Sequence, residues 1–159
     1  MAVKSQSIEE FLFALKCCLD FLGGVPQIIV PDNLKAAVIK ASNYEPDINR
    51  AMEDFCNHYQ TAVIPTRVRK PKDKALVENQ VKLVYTRVFA KLRNITFMGL
   101  EEMNRAILEQ VVCHNQTRMQ IKPYCREEKF LSDEKPLLLH LPGETYQIKY
   151  YRQYKVMAN

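Results

Sequence analysis

The sequence predicts an α/β protein, and three patterns carry that prediction. Gln27-Ile28-Ile29-Val30 and Thr61-Ala62-Val63-Ile64 are short runs rich in β-branched residues, and each is stopped by a proline, Pro31 and Pro65. Such runs have the make-up of strands buried on both faces, and proline ends them because it has no amide hydrogen to offer a sheet. Between them lies a helical pattern, and strand, helix, strand in that order implies parallel strands joined by a right-handed crossover. Two longer helical patterns follow.

At 159 residues, 47% hydrophobic and 26% charged, the chain has the size and apolar content of one globular core rather than of a disordered or fibrous segment. Lys and Arg exceed Asp and Glu by 23 to 18, a net charge of +5. That balance fits a polyanionic partner but is shared by many proteins that bind none. The five cysteines are odd in number, include the adjacent pair Cys17-Cys18 and form no C-x-x-C, so neither a disulfide framework nor a zinc ribbon is indicated. Reduced thiols in a cytosol are the simpler expectation. No apolar run approaches bilayer length, and Met1 is followed by no basic-then-apolar signal, so no membrane association is expected.

The elements follow in order. Ser7-Ile8-Glu9-Glu10 reads as a capping box, with Ser7 bonding the free amides of the first turn and Glu10 reaching back to the cap. Ile8, Phe11, Leu12, Leu15, Leu19 and Leu22 keep helical spacing, and Gly23-Gly24 supplies the positive φ that ends a helix over about 8–22. After the first strand, residues 33–48 show no period and read as a loop. Asn49 caps a helix over 50–59 whose apolar face is Met52, Phe55, Cys56 and Tyr59. Past the second strand comes a basic loop, Arg67-Val68-Arg69-Lys70-Pro71-Lys72. Asp73 then reads as the N-cap of a helix reaching about Arg93, with Val77, Val81, Val84 and Val88 as its buried stripe. A further helix over about 100–114 presents Leu100, Met103, Ile107 and Val111. Near the end, Pro142-Gly143 signals a turn, and Tyr146, Ile148 and Tyr150 alternate with polar residues as in a strand.

Two carboxylates stand out by position. Asp32 ends the first strand, where ligands collect in open α/β sheets, and Glu78 lies in the helix that follows the second strand and the basic loop. Carboxylates are the hard oxygen ligands that Mg²⁺ prefers, and two such ions side by side can activate a water or a 3′-hydroxyl at a phosphodiester. On spacing alone the plainer reading is ahead: Asp32 caps a loop, and Glu78 pairs with Lys74 and Lys82 at i−4 and i+4.

The local sequences weigh on the other side. Gly24-Val25-Pro26-Gln27-Ile28-Ile29-Val30-Pro31-Asp32-Asn33-Leu34-Lys35 resembles the segment around the second catalytic aspartate of IstA-like insertion-sequence transposases, members of the DDE transposase and retroviral-integrase superfamily. Arg69-Lys70-Pro71-Lys72-Asp73-Lys74-Ala75-Leu76-Val77-Glu78 is similar to the segment carrying their catalytic glutamate. The likeness continues through Tyr44-Glu45-Pro46, His58-Tyr59 and Leu92-Arg93-Asn94 and covers most of residues 5–155. His114-Asn115-Gln116-Thr117-Arg118 resembles the YN-x-x-R-P that follows the catalytic helix, with His in place of Tyr and Met119 in place of Pro. A lone His beside Asn in a loop is more often a hydrogen-bonded surface residue than a ligand.

The resemblance implies a partial ribonuclease-H-like core over 1–132 with the first three strands missing, then a linker and the start of a small C-terminal β domain over 133–159. It implies Asp32 and Glu78 as catalytic, metal-binding residues, holding two Mg²⁺ or Mn²⁺ ions together with an upstream aspartate. The acids before Asp32 are Glu9, Glu10 and Asp20, all within the first helix, so none replaces that aspartate and this chain alone is expected to be inactive. The strand expected beside 27–30 is absent with it, and the open edge is expected to drive association. Arg67, Arg69, Lys70, Lys72 and Lys74 would lie on DNA phosphates, with Lys82 either joining them or pairing with Glu78. Tyr150, Tyr151, Arg152, Tyr154 and Lys155 either stack on nucleic acid or form a half-buried strand.

The implied activity is metal-dependent DNA cleavage and strand transfer at transposon ends. The implied partners are transposon-end and target DNA, further copies of the chain and a helper ATPase, in a bacterial cytoplasm at the nucleoid. The alternative is a non-catalytic remnant that binds DNA or oligomerises.

Overall fold

Ser7 begins the first helix. Its backbone is extended and its Oγ accepts the Glu10 amide at 3.3 Å, while the left-handed Gly23 (φ 70°) closes the far end by donating to Leu19 and Asp20 carbonyls. These two caps bound α1 (Ile8–Leu22). The expected reciprocal bond from Glu10 is replaced: the Ser7 amide donates to Ser5 Oγ, and Glu9, one residue nearer, has its carboxyl held below the usual range by its own backbone amide and then by the Ser7 side chain. The computed structural model describes residues 1–31, 38–40, 47–64 and 71–150, with side chains except for 38–40, 47–48 and 71–77.

The chain then runs through β1 (Ile28–Ile29), β2 (Val38–Lys40), β3 (Asp47–Ile48), α2 (Arg50–Tyr59) and β4 (Ala62–Val63). As expected, β1 and β4 are parallel, with Ile28 opposite Ala62 and Ile29 opposite Val63. Residues 33–48 are not all loop: β2 and β3 form an irregular antiparallel pair with Val38 opposite Ile48. A pair this short takes its hydrogen bonds from the backbone and leaves no period-2 signature in the sequence. Asn49 caps α2 by accepting the Ala51 amide at 2.9 Å, and Gln60 ends it in the left-handed region.

The main core lies between α1, α2 and the parallel pair. Leu12 and Leu19 of α1 meet Met52, Phe55, Cys56 and Tyr59 of α2, with Val25 and Tyr146 completing the buried set. Phe55 is fully buried between two rings, 4.6 Å from Tyr59 and 5.0 Å from Tyr146 in an edge-on arrangement. Tyr146 also donates its hydroxyl to the Ala51 carbonyl at 3.3 Å. Tyr146 and Ile148 thus face this core while Gln147 and Lys149 face out, but among the described residues the tail forms no strand ladder.

Residues 138–139 close the core from below. Val25 and Leu139 exchange two backbone hydrogen bonds of 2.9 and 2.8 Å, which brings Gly24 against Leu138. A Cβ on Gly24 would stand 2.7 Å from the Leu138 Cβ and 3.0 Å from the Leu139 carbonyl oxygen, so Gly24 is glycine for space and Gly23 for its φ.

The second half is helical. α3 (Pro71–Val84) continues through a π-helical turn, Tyr85–Phe89, into α4 (Ala90–Leu92), and α5 (Leu100–Gln116), α6 (Arg126–Lys129), a second π turn (Phe130–Glu134) and a 3₁₀ turn (Lys135–Leu137) follow. α3 starts at Pro71, before Asp73, because proline suits the first helical position where no amide partner is needed. The expected valine stripe is only partly buried. Val88 is 1% exposed and packs with Leu92 and Ile107, whereas Val81 is 62% and Val84 38% exposed. Only from the π turn onward does α5 cover this helix, so helical spacing correctly marks an apolar face that nothing among the described residues packs against at Val81.

Candidate nucleic-acid and metal site

The two parallel strands set the geometry. Ala62 and Ile64 donate to the Gln27 and Ile29 carbonyls at 3.0 Å each, and Thr61 Oγ1 donates to the Pro26 carbonyl at 2.7 Å. Because the strands run the same way, their carboxyl ends open on the same side, the side on which open α/β sheets hold ligands. β1 leads there through Val30 and the buried Pro31, and the next residue in the chain is Asp32. Asp32 itself lies outside the described residues, as do Arg67, Arg69 and Lys70 of the basic loop. Lys72 and Lys74 belong to α3, but their side chains are likewise outside the description.

Glu78 and Lys82 are described, on α3 and exposed. They are four residues apart and so one turn, about 6 Å, along the same face. Among the described residues no ion pair joins them, so the plain i,i+4 alternative for that pair is not realised. Glu78 is exposed, and its carboxylate is the kind of oxygen donor that a hard divalent cation takes. Among the described residues no three His, Cys, Asp or Glu side chains converge on one point.

Folding assembles a second charged feature. The π turn, the end of α5, the following loop and α6 enclose an open groove of about 490 Å³ that Arg87, His114, Arg118, Lys122 and Arg126 line. Burial pushes the His114 imidazole below its usual value, and the charges of Arg126, Arg87 and Lys91 push it the same way. Arg118 is anchored, its guanidinium donating to the Pro123 carbonyl and to Glu128 Oε2 at 3.0 Å. The signal available in sequence was His114 to Arg118 followed closely by Lys122 and Arg126. Arg87, distant along the chain, could be added only by folding.

No family model matches this chain. A protein from Burkholderia multivorans named as a transposase for insertion sequence IS408 is 38% identical over 155 residues, 98% of this chain and 30% of that protein. A protein of Sinorhizobium fredii named as a transposase is 39% identical over 158 residues, again 98% of this chain and 30% of its own length. The transposase of insertion sequence IS21 from Pseudomonas aeruginosa is 24% identical over 152 residues. Among solved structures, a chain of the simian T-cell lymphotropic virus intasome in complex with the PP2A regulatory subunit B56 gamma superposes with a TM-score of 0.64 at 15% identity, over 91% of this chain and 48% of that one.

The parallel βαβ unit, the helix carrying Glu78 and this superposition define an α/β protein of integrase-like fold. Within that class, nearly the whole length of the chain is similar to a part of insertion-sequence transposases, that of IS408 and, more distantly, that of IS21. It spans about 30% of the length of the first curated relatives it matches. No helix among the described residues is long and apolar enough to cross a membrane.

Proposed function

We propose that these residues form part of the catalytic core of a DNA transposase, in which Asp32 and Glu78 act with a third carboxylate at transposon DNA ends. The observation that carries the reading is the near-complete alignment with transposases, in which the motifs around Asp32 and Glu78 fall within the matched stretch. The strand order supports it, because β1 and β4 open on one side and lead respectively into Asp32 and toward α3.

When bound, two Mg²⁺ or Mn²⁺ ions would supply the activation of the attacking hydroxyl and the stabilisation of the leaving oxygen. This chain's own residues hold and place. Asp32 and Glu78 offer carboxylate oxygens, Asp32 next in the chain after Pro31 and Glu78 from α3. Lys82 on the same helical face, with Arg67, Arg69, Lys70, Lys72 and Lys74, neutralises backbone phosphates and orients the duplex without reading its sequence.

The test is strand transfer in a transposase polypeptide that carries these residues with the third aspartate. Asp32→Asn and Glu78→Gln should each abolish Mg²⁺- and Mn²⁺-supported joining while leaving DNA binding in place; joining that survives both substitutions overturns the metal-site assignment. A second reading, a chain that binds DNA or oligomerises without chemistry, draws on a separate observation. Ile28, Val30, Val81 and Tyr85 are 49%, 57%, 62% and 67% exposed, and among the described residues β1 pairs with β4 alone. Open sheet edges and apolar helix faces favour association. Light scattering on the purified chain should then show dimers or larger species, and a concentrated monomer rejects the oligomerising form of that reading. A helper ATPase and a place at the bacterial nucleoid belong to the proposal through the family likeness.

A further inference from the structure

We propose that the groove between the π turn, the end of α5 and α6 is a second binding surface for the phosphodiester backbone of nucleic acid, separate from the face of Glu78. This inference rests on the reading above only in its choice of DNA as the polyanion.

The first support is charge without compensation. Arg87, Arg118, Lys122 and Arg126 line the groove together with His114, and among the described residues no carboxylate lines it. Arg118 already has Glu128 at 3.0 Å, but among the described residues Arg87 and Arg126 have no carboxylate within ion-pair distance. Like charges brought together by folding repel one another, and a phosphate between them removes that cost. The groups facing His114 are all cations, Arg126 from α6, Arg87 from the π turn and Lys91 from α4, and they disfavour its protonation.

The second support is the form of the surface. The cations come from two helical elements, the π turn and α6, and from the loop between α5 and α6, and both Arg87 and Arg118 are exposed, so they ring an open groove and not a closed chamber for a small anion. Thr117 and Gln120 add polar groups between them. Lys122 and Arg118 are held in place, Lys122 lying 5.6 Å over the Tyr124 ring and Arg118 bonded to the Pro123 carbonyl. Cations held by neighbouring groups lose less side-chain freedom when they take up a phosphate.

The third support is position. Arg87 follows Glu78 by nine residues, which on a helix is about 13 Å along the axis and roughly half a turn round it. The groove therefore faces away from Glu78 and would engage a different stretch of duplex, or a second duplex.

The experiment is fluorescence anisotropy of a labelled DNA duplex with the 159-residue chain over a series of NaCl concentrations. Three charge-matched variants are compared with it: Arg87→Gln with Arg126→Gln in the groove, Arg69→Gln with Lys70→Gln in the basic loop, and Lys4→Gln with Arg105→Gln, exposed cations elsewhere. Removing two phosphate contacts should lower the log–log salt slope by about 1.8 for the groove variant. The Lys4/Arg105 variant should leave it almost unchanged. An unchanged slope for the groove variant, or an equal fall in the Lys4/Arg105 variant, overturns the proposal.

Loss in the groove variant with none in the loop variant supports the groove and removes the loop from the reading above. Loss in the loop variant alone does the reverse, and no binding by the parent chain at low salt overturns both surfaces. A second measurement guards against misfolding. The His114 ring proton, assigned with His114→Gln, should titrate at higher pH once DNA is added to the unmodified chain, because a phosphate offsets the cations around it. A titration unmoved by saturating DNA also overturns the proposal.

Discussion

Replacing Gly24 by alanine tests the join on which the first half of the molecule depends. Gly24 sits where Val25 and Leu139 exchange backbone hydrogen bonds of 2.9 and 2.8 Å. A new Cβ would lie 2.7 Å from the Leu138 Cβ, closer than real carbon atoms approach, and 3.0 Å from the Leu139 carbonyl oxygen. Neither neighbour is the free end of a flexible side chain, so the backbone of one segment must move. That movement lengthens both hydrogen bonds and loosens Val25, which is fully buried in the main core. Overpacking of this kind costs about 1–3 kcal/mol, and each weakened hydrogen bond adds about 0.5–1.5 kcal/mol.

The assay is urea unfolding followed by far-UV circular dichroism. Gly24→Ala should lower the midpoint without changing the slope. Leu138→Gly removes the nearer obstacle, so in the double mutant the effect of Gly24→Ala should shrink, with a coupling energy of about 1 kcal/mol or more. A Gly24→Ala chain as stable as the parent, or strict additivity in the cycle, refutes the close-approach argument. Gly23→Ala differs in kind: nothing lies within 4 Å of its Cβ position, so its cost comes from φ alone and should be indifferent to Leu138.

Phe55→Ala empties the space between Tyr59 and Tyr146 and should destabilise the chain by about 3–5 kcal/mol in the same urea assay. The depressed Glu9 carboxyl stabilises the folded state only while ionised, so its contribution is present at neutral pH and is lost as pH falls through and below the ordinary value of 4.5. Melting temperatures of Glu9→Gln and the parent should therefore differ at neutral pH and converge in acid; a gap that widens in acid contradicts the assignment. Burial pushes the Cys56 thiol up to about 11, leaving roughly one part in a thousand as thiolate at pH 8. A thiol-reactive dye at that pH should label the exposed Cys113 well before Cys56, as read by peptide mass spectrometry.

Much of this protein was determined by local rules acting on neighbouring residues. The cap at Ser7, the stop at Gly23, the Asn49 cap, the proline-stopped strands and the core faces of α1, α2 and α5 each depend on residues within a few positions of one another, and each is legible in order along the chain. The motifs around Asp32 and Glu78 were legible for the same reason, since each is one contiguous stretch. Tertiary structure decided what spacing along a helix cannot show, namely which face meets a neighbour. Val81 and Val88 carry the same side chain on one helix, yet Val88 is buried against α5 and Val81 is exposed, because burial depends on what lies opposite. The same holds for Gly24 against Leu138 and for Arg87 beside His114 and Arg126: these residues are far apart in sequence, and only folding brings their atoms, and their charges, together.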